Sequence, residues 1–208
     1  RVLFRSKTIR AVGVPEDRFK EDALRMMRAV RLATELGFTI NIDTKKAIVS
    51  HSNLLKEISI ERVRDEFIRI LMSNSPKSGI ELLDELCLLQ YIVPELVKAK
   101  GVKQPQAHAY DVWEHLLRTL QHSADKEWPL EIRLSALFHD ISKPETFRIS
   151  HETQHITFYG HEVVGSRVTK KILERMKFPT KLVDKVVKMV RWHMFFSDTE
   201  TITLSAVR

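Results

Sequence analysis

Apolar residues recur every three or four positions along most of this chain, and that spacing constrains its fold more than any other feature. An α-helix has a period of about 3.6 residues, so side chains at this spacing share one helix face. The clearest case is the run IERVRDEFIRILMS, whose apolar face would hold Ile60, Val63, Phe67, Ile70 and Leu71. No stretch of any length alternates with the two-residue period of a strand, and only 6 Gly and 7 Pro occur in 208 residues. The sequence therefore predicts an all-α protein.

Capping residues and prolines divide the first half of the chain into short helices. Pro15 is expected to begin the first, because proline is favoured in the first turn, and Gly37 is a natural stop after Leu36. The pattern predicts one continuous helix between these two points. Four later helices have start signals of a similar kind: Asp43 or Thr44, Ser59, Ser75–Pro76 and Pro94.

A stretch without periodicity, KGVKQPQAH at 100–108, is expected to separate two domains. The first domain would cover residues 1–100 and the second residues 101–208. The Thr-, Ser- and Ile-rich run RISHETQHITF in the second half predicts a loop or a small hairpin. The last residues, TLSAVR, resemble the start of an unfinished helix, so the second domain is expected to be truncated at its C-terminal end. Its helices are expected near 109–124, 129–141, 159–176 and 180–194.

Composition and charge narrow the class of protein. The formal net charge is +7, with the excess spread over both halves. A diffuse basic surface is typical of proteins that bind a polyanion such as RNA, although a basic protein without that partner fits equally well. The single cysteine, Cys87, excludes an internal disulfide and a cysteine-based zinc site. No apolar run approaches the ~18 residues of a membrane span, and no signal peptide is visible. We therefore expect a cytoplasmic protein with no membrane contact.

Histidines and one aspartate are the strongest candidates for a metal site. The adjacent pair His139 and Asp140 ends an apolar helical run, and the other candidates come from separate helices: His115, His161 and His193. Imidazole and carboxylate donors suit divalent metals such as Mn, Co, Ni or Zn. A metal held there could activate water for phosphoester hydrolysis, with Lys143 reaching the phosphate. On spacing alone, ordinary core or surface histidines explain the pattern equally well.

Four charged residues of the expected first helix are spaced by three: Asp22, Arg25, Arg28 and Arg31. Residues at this spacing are neighbours on a helix surface. The carboxylate could accept from an exocyclic amine while Arg25 donates to a ring nitrogen, a pattern that adenine and cytosine share and that uracil and guanine reverse. The two later arginines could meet phosphates or RNA. On spacing alone, a solvated helix face with ion pairs such as Glu21 with Arg25 is the simpler interpretation.

The run IRAVGVPEDRFKEDALRMMRAVRLATELGF, with SIERVRDEFIRIL after it, resembles the neck and body of bacterial tRNA nucleotidyltransferases (CCA-adding enzymes) and their poly(A) polymerase relatives. Glu21-Asp22-x-x-Arg25 matches the nucleotide-selecting motif of that family. The resemblance implies that Asp22 and Arg25 act as a protein template for ATP and CTP, with Arg28 and Arg31 as further nucleotide contacts. Val14 departs from the family, which commonly has Asp before the proline.

Residues 105–198 resemble the HD superfamily of metal-dependent phosphohydrolases. The matching residues, in family order, are His115, His139-Asp140, Gly160-His161-Glu162 and Trp192-His193-Met194. The resemblance implies a divalent cation (Mn, Ni, Co, Zn or Mg) on His115, His139, Asp140, His161 and His193, with His139, Asp140 and Lys143 as catalytic residues. Ser142 stands where the family usually has glycine, at a position expected to end a helix with positive φ. Asp198 is the candidate, by order, for the last ligand of the family.

The family resemblance also implies a catalytic head before the neck, with a Gly-Ser step and paired aspartates for two magnesium ions. Residues 1–208 contain no such segment, so this chain alone is not expected to transfer nucleotides, and a separate head polypeptide is a candidate partner. We expect part of an enzyme that processes RNA 3′ ends, with tRNA as its RNA and a phosphohydrolase of the 2′,3′-cyclic phosphodiesterase or phosphatase type. The alternatives are a non-catalytic RNA-binding scaffold with an inactive HD domain, and a stand-alone HD nucleotidase.

Overall fold

The computed structural model describes residues 2–3, 6–104, 110–149 and 155–194, and the regular structure of these residues is almost entirely helical, as the sequence predicts. The strands are two residues long, which is too short to produce an alternating pattern in the sequence. Along the first half the elements are β1 Val2–Leu3, β2 Thr8–Ile9, α1 Pro15–Glu21, α2 Leu24–Leu36, β3 Thr39–Ile40, α3 Ile42–His51, a 3-10 helix at Ser52–Glu57, α4 Ile60–Leu71, α5 Pro76–Glu85, α6 Leu89–Ile92 and α7 Pro94–Val97.

Longer helices dominate the second half: α8 Val112–Asp125, α9 Leu130–Phe138, α10 Lys143–Thr146, β4 Arg148–Ile149, β5 Ile156–Thr157, α11 His161–Arg175 and α12 Thr180–Trp192. Strand β2 pairs with β1 antiparallel and with β3 in parallel. The strands β4 and β5 pair antiparallel within the Thr- and Ile-rich run, for which the sequence predicted a loop or a small hairpin. The final residues, TLSAVR, lie outside the described part of the chain. No helix among the described residues is both long and apolar enough to cross a bilayer.

The expected single helix from Pro15 to Leu36 is wrong, because the chain breaks into α1 and α2 at Asp22. The backbone of Asp22 is extended, with φ −153° and ψ 100°. Its carboxylate accepts a hydrogen bond from the N–H of Leu24 at 3.1 Å, and its carbonyl accepts from the N–H of Arg25 at 3.0 Å. An aspartate can satisfy the free N–H groups at a helix start in this way, so it competes with continuation of the preceding helix.

One apolar core runs through both halves of the described chain. Met26, Met27 and Val30 of α2 are fully buried, and the same cluster continues through Leu116, Leu117 and Leu120 of α8 to Val183 and Val186 of α12. Helix α5 packs against α2 on one side and α8 on the other, so side chains from both sides of residue 100 share this core. The division into domains at that residue stays a prediction.

Arg133 of α9 joins the two halves through buried hydrogen bonds. The side chain is only 4% exposed. Its guanidinium donates to the carbonyl oxygens of Leu71 and Ser73 at the end of α4, and to that of Trp128 before α9, each at 2.8 Å. Burial lowers the pKa of Arg133, although the guanidinium remains charged. Because α9 ends at His139, this anchor also sets where the histidine–aspartate pair lies.

Replacing Arg133 with Met is expected to lower the free energy of unfolding by about 2–3 kcal/mol, because buried carbonyl groups would lose their donor. Urea unfolding followed by circular dichroism measures the change. The control is Arg118→Ala, which removes a half-exposed ion pair with Glu114 and should cost less than about 1 kcal/mol. Equal losses in the two variants would show that Arg133 is not a buried anchor.

Candidate metal centre and nucleotide-template surface

The predicted metal ligands come together from four helix ends. His115 lies in the first turn of α8, whose start is capped by Asp111 accepting from the N–H of Glu114 at 2.8 Å. His139 and Asp140 directly follow α9. His161 begins α11 after Gly160, which has φ 75°, a left-handed conformation that glycine adopts most readily. His193 directly follows α12.

The carboxylate of Asp140 lies at the centre of these rings and is only 2% exposed. Its Oδ2 is 3.4 Å from Nε2 of His115 and 3.3 Å from Nε2 of His139. Its Oδ1 is 3.2 Å from Nε2 of His161 and 3.5 Å from Nε2 of His193. Each carboxylate oxygen therefore faces its own pair of imidazoles. Asp140 forms one group of three possible ligands with His115 and His139, and a second with His161 and His193. Within each group the ligand atoms lie within 4.8 Å of one another.

Backbone hydrogen bonds fix the tautomer of three of these rings. Each Nδ1 approaches the carbonyl oxygen three residues earlier: His139 that of Ala136 (2.9 Å), His161 that of Phe158 (2.8 Å) and His193 that of Val190 (2.7 Å). A carbonyl oxygen only accepts, so Nδ1 must carry the proton. The Nε2 of each neutral ring is then a bare lone pair, which is the form in which histidine binds a metal.

The Nε2 atoms of the cluster also approach one another in pairs, with those of His115 and His139 2.9 Å apart. Nε2 of His161 lies 3.3 Å from Nε2 of His193, so two acceptors face each other when both rings are neutral. The buried Oδ1 of Asp140 makes no hydrogen bond of acceptable geometry to the described residues, although both nitrogens are near it. A divalent cation or a proton relieves such a cluster of acceptors. The residues therefore fit a divalent metal.

Electrostatics within the cluster favour positive charge on His161. Burial raises the pKa of Asp140, but the neighbouring rings of His139, His161 and His193 outweigh it and hold that pKa far below its usual range. Burial lowers the pKa of His161, while its interaction with the Asp140 carboxylate raises it, with a net increase. The pull that favours a proton on His161 favours a divalent cation in the same place.

Lys143 does not extend into the cavity as an isolated charge. It is 7% exposed, and its amine donates to Oδ2 of Asp140 and to Oε1 of Gln104, each at 2.7 Å. The sequence predicted that Lys143 reaches a phosphate. In this structure its amine instead contacts Asp140 and balances the charge of that carboxylate. Gln104 was missed from the sequence because it lies in the stretch without periodicity.

Ser142 does not have the positive φ expected from the glycine of the family. Its φ is −97°, so the position needs no glycine for its backbone. The hydroxyl instead donates to the carbonyl oxygen of His161 at 2.6 Å. A Cβ on Gly165 would come within 3.3 Å of this hydroxyl, so the serine fits because α11 has no side chain there. Asp198, the expected last ligand, lies outside the described residues.

An open cavity of about 750 Å³ adjoins the cluster. Besides the metal-ligand candidates and Lys143, its lining includes Phe158, Tyr159 and Glu162. Tyr159 is 87% exposed. The carboxylate of Glu162 lies 3.6 Å from Arg191 of α12. A substrate of nucleotide size therefore has room beside Asp140.

The expected row on the first helix is divided by the break at Asp22. Asp22 accepts from Arg62 of α4 at 3.0 Å, while Arg25 donates to Glu21 at 2.6 Å. Arg28 and Arg31 both approach Glu66 of α4, at 3.2 and 2.9 Å. Arg31 is 9% exposed, so it is held in the protein rather than presented to solvent.

Two partners of this row are Arg62 and Glu66. The sequence alone assigns them no role, although both lie in the run SIERVRDEFIRIL. Both lie 35 to 40 positions from the residues they contact, and only the packing of α2 on α4 brings them together. Arg25 and Arg28 also line a cavity of about 300 Å³ with Arg10 and Arg18, over an apolar floor that includes Phe19. Asp22 and Arg31 do not line that cavity.

Comparison with known proteins relates two parts of the chain to known families. Residues 37–100 match the family described as the probable RNA- and SrmB-binding site of polymerase A, and residues 112–207 match the HD domain. A CC-adding tRNA nucleotidyltransferase from Thermus thermophilus is 37% identical over 190 residues, covering 88% of this chain and 44% of its own length. An A-adding tRNA nucleotidyltransferase from Deinococcus radiodurans is 36% identical over 188 residues, with 87% and 43% covered.

A solved structure agrees with these relatives. The crystal structure of the Bacillus stearothermophilus CCA-adding enzyme in complex with CTP superposes with a TM-score of 0.58 and 26% identity, covering 98% of this chain and 42% of that one. The chain belongs to the tRNA nucleotidyltransferase family. Within that family it covers the neck, body and HD regions, as the sequence predicted. It spans less than half the length of the curated relatives that it matches.

Binding of Mn²⁺ is expected to stabilise the protein, because the cation would bind the folded cluster and not the unfolded chain. At 100 times its Kd the gain in unfolding free energy should be about 2.7 kcal/mol, and EDTA should reverse it. Asp140→Asn removes the charge that both histidine pairs share and should abolish the gain. His122→Gln, an α8 histidine away from the cluster, should retain it. An equal gain in Asp140→Asn and wild type would contradict this assignment of the ligands.

Proposed function

We propose that this chain is part of an enzyme that processes tRNA 3′ ends, and that the cluster around Asp140 is a metal-dependent phosphohydrolase centre. The observation that carries this proposal is the convergence of four imidazole Nε2 atoms on one buried carboxylate, with three of the rings held in the metal-binding tautomer. An inert structural cluster would not need three backbone carbonyls to leave the Nε2 atoms bare.

The residues of the cluster divide the work. His115 and His139 on one side, and His161 and His193 on the other, would hold the cation or cations, with Asp140 offering one oxygen to each pair. A divalent cation bound there would supply Lewis acidity and lower the pKa of a bound water. Lys143 donates to Asp140 and adds positive charge beside the cavity, which favours an anionic substrate.

The substrate class that we propose is a phosphoester at an RNA end, as a 2′,3′-cyclic phosphate or a phosphate monoester. The cavity is open and of nucleotide size, and it is lined by positive or metal-binding groups on one side. An exposed ring at Tyr159 offers an apolar face next to it. A phosphate can therefore reach the cluster while its nucleoside stays near the surface.

Hydrolysis of a nucleoside 2′,3′-cyclic phosphate should depend on added Mn²⁺, Co²⁺ or Ni²⁺ and on Asp140. In Asp140→Asn we expect the rate to fall by at least ~100-fold, because both histidine pairs lose their shared ligand. The measurement is product formation by chromatography, on protein purified without a His tag. The His122→Gln variant should keep the wild-type rate.

The same assay separates the alternatives. Absence of both metal uptake and Asp140-dependent hydrolysis would leave a non-catalytic RNA-binding scaffold. A stand-alone nucleotidase would hydrolyse free nucleotides faster than RNA ends. In that case Asp22→Ala, which alters the proposed nucleotide template, would have no effect on any RNA reaction. Either result would overturn the proposal of an RNA 3′-end hydrolase.

We further propose that Asp22 and Arg25 select ATP and CTP, in concert with a nucleotidyl-transfer head in the same or a separate polypeptide. The support is the resemblance of the Glu21-Asp22-x-x-Arg25 motif, together with the geometry of the α1–α2 junction. Asp22 is held by Leu24 and Arg62, and a carboxylate has acceptor capacity beyond two contacts. The Bacillus relative, 26% identical, was crystallised with CTP.

The chain is expected to bind ATP and CTP more tightly than UTP and GTP, because only adenine and cytosine present an exocyclic amine beside an unprotonated ring nitrogen, the pattern that Asp22 and Arg25 match. Asp22→Ala should reduce this preference about 10-fold, the effect of losing a specific hydrogen bond. Isothermal titration calorimetry with the four nucleotides measures it. Asp17→Ala, an exposed acid one turn earlier in α1, is the control. A preference that survives in Asp22→Ala would remove Asp22 from the template.

A further inference from the structure

Much of the net positive charge of the chain lies in one segment, although the two halves of the sequence have similar net charges. Residues 161–192, which form the α11–α12 hairpin, contain nine Lys or Arg and three Asp or Glu, a net charge of +6 out of +7 for the whole chain. The open end of this hairpin, where α11 begins and α12 ends, holds His161 and His193. A strongly basic part of the protein therefore adjoins the proposed metal centre.

One face of α12 forms a basic stripe, defined by Lys181, Lys185, Lys188 and Trp192. These residues are spaced by four, three and four positions, so they lie along one side of the helix. All four are exposed, while Val183, Val186 and Val190 bury the opposite side. At about 1.5 Å per residue the stripe is about 16 Å long.

The cations of the basic stripe have little local compensation. Lys185 lies 3.6 Å from Glu131 but is 65% exposed, and among the described residues no ion pair within 4 Å is recorded for Lys181 or Lys188. Like charges at this spacing destabilise a helix. An exposed helix face with no partner can carry acidic residues between its lysines, which reduces the repulsion among them. Helix α12 contains only one acidic residue, Asp184. The arrangement fits an anionic partner.

An aromatic ring ends the stripe at the metal centre. Trp192 is 53% exposed, with the Arg191 guanidinium 4.6 Å from its ring centre, and it immediately precedes His193. Exposed aromatic rings beside basic side chains are the usual means by which proteins hold unpaired bases. Tyr159 supplies a second exposed ring at the same cavity.

We propose that a single strand of RNA lies along the basic stripe of α12, with its phosphates on the three lysines and a base on Trp192, so that its 3′-terminal phosphate enters the cavity beside Asp140. This docking surface rests on the proposed function, because it supplies that centre with its substrate. A single strand is the fitting occupant, since a base that stacks on Trp192 must be unpaired.

The test is the salt dependence of RNA binding by the intact chain, measured by fluorescence polarisation with a short single-stranded RNA bearing a 3′-phosphate. EDTA is present throughout to prevent hydrolysis. Each phosphate contact contributes about 0.7 to the slope of log K against log salt for a single strand. Lys181→Gln/Lys185→Gln/Lys188→Gln should therefore lower the slope by about 2, and Lys188→Gln alone by about 0.7.

One control variant keeps the charge of the basic stripe but changes its side chains, and a second removes the charge of lysines outside the stripe. Lys181→Arg/Lys185→Arg/Lys188→Arg keeps the charges and should keep the slope. Lys103→Gln/Lys126→Gln removes two exposed lysines of the second half that do not belong to α12, and its slope should stay at the wild-type value. RNA should also quench tryptophan fluorescence in wild type, and much less in Trp192→Phe, although Trp113 and Trp128 remain.

A slope unchanged by the triple Gln variant would overturn the proposal, as would an equal fall in the Lys103/Lys126 control. Binding of phosphatidylserine vesicles that depends on the stripe, without binding of RNA, would overturn it in favour of a membrane surface. These outcomes do not depend on catalysis. Absence of metal-dependent hydrolysis with stripe-dependent RNA binding would sink the hydrolase proposal alone, and hydrolysis without stripe-dependent binding would sink this one alone.

Discussion

The second half of this protein is arranged around one buried carboxylate that four imidazoles approach. A buried aspartate is costly unless positive charge or hydrogen-bond donors surround it. Here the donors come from Lys143 and from rings that can carry a proton or a cation. Because those rings lie at the ends of four separate helices, the charge of Asp140 sets how the α8–α9 and α11–α12 pairs must meet. Packing of the apolar core then supports the positions that electrostatics requires.

Each histidine with a fixed tautomer uses the same local device. The ring turns back to the carbonyl three residues earlier, which is otherwise a free acceptor at a helix end or in a turn. The backbone thus fixes ring orientation without any further side chain. His139 and His193 follow helices and His161 begins one after Gly160, yet all three present Nε2 to Asp140. Because of this independence of direction, the start of a helix can supply a ligand as well as the end of one.

The sequence predicted the all-α class, most helix boundaries and the set of histidines that meet at Asp140, because these depend on local period and on the order of a motif. It did not predict the break at Asp22, since a side chain that accepts from Leu24 leaves no gap in the apolar pattern. It also missed Gln104 and the contacts of Arg62 and Glu66, which depend on packing between segments distant in sequence. The expected φ of Ser142 was wrong because the role of the residue lies in its hydroxyl and not in its backbone.

Helix α4 has different partners on nearly consecutive residues. Glu61 pairs with Lys177 at the turn between α11 and α12, Arg62 holds Asp22, and Arg64 donates to the carbonyl oxygen of Lys177. One turn further on, Glu66 lies between two arginines of α2. Since each residue is rotated by about 100° from the last, insertion or deletion of a single residue would misalign all of these contacts together. A substitution in α4 would therefore remove one contact at a time, whereas a change in the length of the helix would disturb them all.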